Sequence, residues 1–126
     1  MLTLSKVNEL IAKTLVSIEG LKEGMALTFN TEAGVSYYMF HNQDCCEDVY
    51  LEDVCGDMAD LLNSPIVMAE ETSNATRDPL PAPMLDDVYE WTFYKIASAK
   101  GSVTLRWYGQ SNGYYSIGMS FGILEK

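Results

Sequence analysis

Polar and apolar positions change period several times along this chain, and each change marks an element. Val7, Leu10 and Ile11 share one face at helical spacing, with Ser5 placed to cap the turn that begins there. The helical period stops at Thr14. Thr14-Leu15-Val16-Ser17-Ile18 is rich in side chains that are stiff at the first torsion and favour extended backbone. Residues 25–30 and 35–42 then bracket Thr31-Glu32-Ala33-Gly34, the layout of a hairpin with a Gly-containing turn. In its second arm Tyr37 and Met39 point to one side, Tyr38 and Phe40 to the other.

Residues 49–62 mix two periods. Val49, Leu51 and Asp53 alternate as one face of a strand that runs to about Val54. Met58, Leu61 and Leu62 fit a short helix, capped by Asp57 after a turn at Gly56. Ile66 to Glu71 predicts another strand. Residues 72–83 carry three prolines among small polar residues and read as a flexible loop. Two long alternating runs follow, joined at Ala99-Lys100-Gly101. Tyr89, Trp91, Phe93 and Lys95 oppose Glu90, Thr92, Tyr94 and Ile96; then Val103, Leu105 and Trp107 oppose Thr104, Arg106 and Tyr108. Asn112-Gly113 marks a further turn before a last strand. There is no internal repeat and no βαβ rhythm. The expected architecture is α+β: a single domain over 1–126, mainly an antiparallel twisted β-sheet of five to seven strands with one or two short helices.

Charge narrows the partners. Eighteen acidic residues face eight basic ones, for a formal net charge of -10. No Lys or Arg occurs between Lys22 and Arg77, an interval that holds eleven carboxylates from Glu23 to Glu71. Such a face repels phosphate backbones and anionic lipid and attracts basic protein surfaces, so direct binding to nucleic acid or a membrane is disfavoured. The N-terminal segment is too polar for a secretory leader, and no apolar run reaches membrane-span length. Three cysteines are an odd number, which argues against a closed disulfide framework and points to a reducing cytoplasm.

The strongest ligand chemistry gathers in His41-Asn42-Gln43-Asp44-Cys45-Cys46-Glu47, which contains the only histidine. With Cys55, the residues His41, Cys45 and Cys46 form a candidate zinc set. The spacings His-x3-Cys and Cys-x8-Cys match no finger pattern, and adjacent cysteines in a strand face apart. The preferred reading is structural: one thiol buried as a small hydrophobe and a strand-end histidine held by hydrogen bonds. A Cys–His nucleophile is weakened by the surrounding carboxylates, which disfavour the thiolate. Asp44, Glu47, Asp48, Glu52, Asp53 and Asp57 offer oxygen ligands to calcium, without the order of an EF-hand loop. Glu70 and Glu71 are adjacent and so poorly placed as an acid/base pair; one is expected to meet Arg106. Asp44, Glu47, Asp48, Glu52, Asp53, Arg106, Tyr114 and Tyr115 are the candidate interface residues, with Trp91 and Trp107 nearby in pattern.

The chain resembles a family of small uncharacterised proteins found in bacteriophages and prophages. The resemblance is carried by HNQDCCEDVYLEDVCGD (41–57), SPIVMAEE (64–71) and GSVTLRWYGQSNGYYS (101–116). It implies a phage or prophage setting in a bacterial host cell and assigns no residue a role. The leading functional expectation is a nonenzymatic accessory protein that binds a basic protein surface and inhibits a host nucleic-acid-binding or defence factor. The alternatives are a metal-stabilised module on His41 and the cysteines, and a small thiol- or metal-dependent enzyme, for which no full set of acid, base and nucleophile is visible. Edge strands and abundant tyrosine also allow a homodimer.

Overall fold

Alternating side chains give each strand one apolar face, and a chain without long helices must cover that face with another sheet. The computed structural model describes residues 2–21, 26–42, 47–76, 88–111 and 117–124. In chain order these form β1 (Leu2–Leu4), β2 (Leu15–Leu21), β3 (Ala26–Thr31), β4 (Ser36–Phe40), β5 (Asp48–Cys55), β6 (Ile66–Thr76), β7 (Val88–Ser98), β8 (Gly101–Ser111) and β9 (Ser120–Leu124). Two 3-10 turns, η1 (Val7–Leu10) and η2 (Met58–Leu61), complete them. The class is the expected α+β one, dominated by antiparallel sheet with only short helical elements. The strands divide, however, into a five-stranded sheet of order β1-β9-β4-β3-β2 and a four-stranded sheet of order β5-β8-β7-β6.

One core cluster draws on both sheets. Phe29, Tyr37, Met39 and Phe121 come from the first; Ile66, Tyr94, Ile96, Val103, Leu105 and Trp107 come from the second. Val7, Leu10 and Leu61 of the 3-10 turns join the same cluster. Trp107 is almost fully buried, and its indole Nε1 donates to Met39 Sδ at 3.2 Å, tying β8 to β4 across the core. The predicted alternation holds on β4, where Tyr37 and Met39 are buried while Tyr38 and Phe40 stack at 4.8 Å on the other side. It holds equally on β8, where Val103, Leu105 and Trp107 face inward.

Three local expectations change. The first helix is a single 3-10 turn, and Ser5 does not cap it. The Ser5 N–H instead donates to Phe121 O at 2.8 Å, which anchors the segment to β9, and Ile11 is exposed. The chain must turn into β2 within a few residues, and Ala12 adopts a positive φ of 73° there, so a longer helix has no room. The loop expected over 72–83 does not begin at Thr72, because residues 72–76 extend β6 and pair with β7 as far as Thr76 opposite Tyr89; residues 77–87 lie outside the described ones. Small polar residues are tolerated there because β6 is an edge strand with an eleven-residue partner. Third, β5 carries an irregularity between Leu51 and Asp53, so strict alternation fails past Leu51. Asp57 does cap η2, accepting from the Ala59 N–H at 3.0 Å. No helix among the described residues is long and apolar enough to cross a membrane.

Gly56 and Gly109 are among the glycines that sit where a side chain does not fit. Gly56 turns the chain out of β5 at φ +113°, and an added Cβ would lie 2.5 Å from Ser102 O. On β8, a Cβ at Gly109 would meet Ile117 Cβ at 2.9 Å and Ile117 O at 3.0 Å. Gly109→Ala is expected to cost about 1–3 kcal/mol through overpacking. Trp107→Ala is expected to cost about 3–5 kcal/mol through cavity formation. Urea unfolding checks both, and a Gly109→Ala protein as stable as the parent contradicts the close fit against Ile117.

Candidate functional site

The chain leaves the five-stranded sheet after β4 and enters the other at β5; it returns between β8 and β9. β4 neighbours β9 and β5 neighbours β8, so each crossing joins the same two pairs of neighbouring strands. His41 stands between them. Its Nδ1 lies 2.7 Å from Gly118 O, on the returning crossing, and its Nε2 lies 2.7 Å from Glu47 Oε2, just before β5. The His41 and Glu47 side chains retain 5% and 0% of their exposure.

Hydrogen-bond chemistry limits the protonation state here. A carbonyl oxygen only accepts, so Nδ1 carries a hydrogen and donates it to Gly118. The contact to Glu47 then holds one more proton, either on the imidazole as an ion pair or on the carboxyl as a neutral pair. Both arrangements are net neutral, which is what burial demands of a carboxylate. Both ring nitrogens are engaged, so His41 serves as a staple and has no lone pair free for a metal or a substrate proton.

Zinc, the alternative reading of His41, Cys45, Cys46 and Cys55, is not supported. Among the described residues no group of three or more His, Cys, Asp or Glu side chains comes together to hold an ion. Cys55 is an exposed free thiol opposite Thr104, at the far end of β5 from Glu47. Extended backbone from Asp48 to Cys55 covers about 23 Å, far beyond any coordination sphere. Nearness in sequence was misleading because a strand carries successive residues apart. Asp44, Cys45 and Cys46 lie outside the described residues, as do Tyr114 and Tyr115.

The remaining interface candidates collect on the outer face of the four-stranded sheet. Register places Trp91, Tyr108 and Tyr50 in one row across β7, β8 and β5. Ring centroids are 5.4 Å apart for Trp91–Tyr108 and 5.7 Å for Tyr50–Tyr108, and Tyr89 joins Tyr108 at 5.9 Å. The next row is Phe93, Arg106 and Asp53. Arg106 Nε lies 2.7 Å from Glu52 Oε1, an ion-pair contact that lacks the angle of a directed hydrogen bond, and its Nη2 lies 4.0 Å from Asp53. Asp48, Glu52 and Asp53 are exposed along the edge strand β5. Arg106 therefore pairs with β5 and not with Glu70 or Glu71 as expected. Trp107 belongs to the core and leaves the surface to Trp91. Tyr50 and Tyr108 were not singled out from sequence. The tight β7–β8 turn already implies that Trp91 faces Tyr108, whereas nothing local reveals that β5 pairs with β8.

Glu71 faces a different partner. It stands opposite Tyr94, whose side chain is fully buried. The Tyr94 hydroxyl makes no hydrogen bond of normal geometry, although Glu71 is close enough to act on it. Burial, then Glu71, then Glu90 push the Tyr94 pKa well above that of an ordinary phenol.

Residues 8–121 match the family DUF7448, a domain of unknown function, and the chain belongs to that family. No curated protein and no solved structure matches the chain.

Removing either member of the buried pair takes a short hydrogen bond from the other in a desolvated site. His41→Ala and Glu47→Ala are each expected to lower stability by about 3–5 kcal/mol, and Glu47→Gln by less, because an amide can still hydrogen-bond to the ring. A loss below about 1 kcal/mol in urea unfolding would contradict the staple. For Tyr94 the folded state holds its proton above pH 10, where the unfolded chain releases it. Stability from this group is thus complete below about pH 10 and falls as pH rises, by about 1.4 kcal/mol per unit. Tyr94→Phe is expected to flatten that alkaline decline and to leave neutral-pH stability equal or higher, since an unpaired hydroxyl is removed. An unchanged alkaline slope argues against it.

Proposed function

We propose that this DUF7448 protein is a nonenzymatic binding module that docks a basic protein surface on the outer face of its four-stranded sheet. The observation that carries the reading is the continuous row Tyr50–Tyr108–Trp91, flanked by Asp48, Glu52 and Asp53. Cross-strand ring pairs stabilise any sheet, by a few tenths of a kcal/mol each. Here the row is also open at its β5 end: Tyr50 remains 42% exposed, at an edge strand that carries the carboxylates.

Rings and carboxylates together suit Arg and Lys side chains. The ring faces attract the cation and apply apolar area to its stem, and the acids complete the charge. The wider field agrees, because the formal net charge is -10 and Arg106 is already neutralised by Glu52 and Asp53. The resemblance to small phage and prophage proteins supports a cytoplasmic setting in a bacterial host. A host protein whose basic surface ordinarily holds nucleic acid is the partner this surface suits best, and the outcome of docking is inhibition by occupancy.

A photo-crosslinking amino acid placed at Tyr50, and in a second protein at Val16 on the other sheet, tests the reading in bacterial cells. The expected result is capture of a basic protein from Tyr50 only. Binding of the purified partner should weaken at least tenfold on Tyr108→Ala or on Glu52→Lys with Asp53→Lys, and should weaken with added salt. Equal capture from both positions, or affinity indifferent to these changes, rejects the proposed face.

A further inference from the structure

A separate feature lies at the opposite edge of the same sheet. β6 is eleven residues long and pairs only with β7 among the described strands. Its other edge is used at one point: Ile66 N donates to Lys13 O at 2.9 Å, and Ala12 N donates to Ile66 O at 2.8 Å. Residues 12–13 thus act as the stub of an additional strand, and then the chain turns away into β2.

Alternation shows which groups come next. Ser98 and Gly101 close the tight β7–β8 turn, so Ser98, Ile96, Tyr94 and Thr92 direct their backbone groups toward β8. Their partners on β6 are Ile66, Ala69, Glu71 and Ser73, with the irregularity near Val67 absorbing one residue. Those four therefore direct N–H and C=O away from β7. Ile66 has the stub; Ala69, Glu71 and Ser73 have no backbone partner among the described residues.

A cleft of about 610 Å³ opens alongside, between β6, the β1–η1 segment and β9. Val7, Ala69, Met119 and Phe121 give it apolar walls, and Glu70 and Glu71 stand exposed at its rim. Ser5, also in the wall, holds a buried hydroxyl with no hydrogen-bond partner among the described residues. An open ladder edge, an apolar trough and an unanswered polar group occur together.

We infer that β6 and this cleft accept an extended, Lys- or Arg-bearing segment of another protein as an added β-strand. Main-chain bonds to Glu71 and Ser73 supply the register, side chains on one face enter the cleft beside Glu71, and basic residues on the other face meet Glu70. A second copy of this chain suits the edge badly: antiparallel pairing centred on β6 sets Glu71 against its own counterpart, and like charges directly opposite destabilise a pair. This site is independent of the Tyr50–Tyr108–Trp91 face, at the far side of the sheet.

The probe is a fluorescent peptide of about seven residues, the length of an ordinary strand, with Lys alternating with Val and Thr. Saturable binding is expected, with slowed amide exchange at Glu71 and Ser73. Glu70→Lys with Glu71→Lys, both exposed, should weaken it at least tenfold, while Tyr108→Ala leaves it unchanged. Methylating alternate peptide nitrogens keeps every charge and removes the ladder donors, and should abolish binding to the parent protein even if the double variant folds poorly. Equal affinity for the methylated peptide, protection on β5 in place of β6, or no saturation overturns the inference. Failure here with success of crosslinking at Tyr50 leaves the first face standing, and the reverse is equally readable.

Discussion

The two sheets are held in mutual register by a buried histidine–carboxylate contact at the point where the chain crosses between them twice. His41 follows β4, Glu47 precedes β5, and Gly118 precedes β9. Each crossing breaks a hydrogen-bonded ladder, and any polar group buried there needs a partner. Here those groups answer one another, with the net charge of the pair kept at zero. Ile117 seats against Gly109 beside the same junction, so the polar staple and a close approach to the β8 backbone reinforce each other. The apolar core between the sheets supplies most of the burial, but it is non-directional. The directional contacts at the corner decide how one sheet lies upon the other.

Much of the architecture was legible because the relevant signals are local. Alternation located the β3–β4 and β7–β8 hairpins, their faces and the inward position of Val103, Leu105 and Trp107. Asp57 announced its own cap, since a carboxylate two residues before an amide needs no distant partner. The division into two sheets was not legible, because it depends on β5 leaving its sequence neighbour β4 for β8. The same long-range pairing hid Tyr50 and misassigned the partner of Arg106, which reaches Glu52 and Asp53 on β5. At residues 72–76 composition suggested a loop, and the length of the neighbouring β7 imposed a strand.

The segment from His41 to Glu47 shows how chemistry and geometry can part. Residue types that suit a metal were close in sequence, yet the described members are placed for burial and for separation. His41 spends both nitrogens on structure, and Cys55 rides to the other end of a strand. A lone histidine at a strand end is ordinarily held by hydrogen bonds, and His41 is held so at both nitrogens. Glu47 as the partner of the ring depends on the fold.

The contact between the Trp107 indole and Met39 sulfur has a further consequence. The two tryptophans of this protein occupy opposite environments: Trp107 bridges the sheets in a nearly dry interior, and Trp91 lies half-exposed on the outer face. Their fluorescence therefore divides into two separate channels, one sensing whether the sheets remain apposed and the other sensing what settles on the surface. Oxidation of Met39 would act on the first channel alone, replacing a soft apolar sulfur with a polar sulfoxide between the layers.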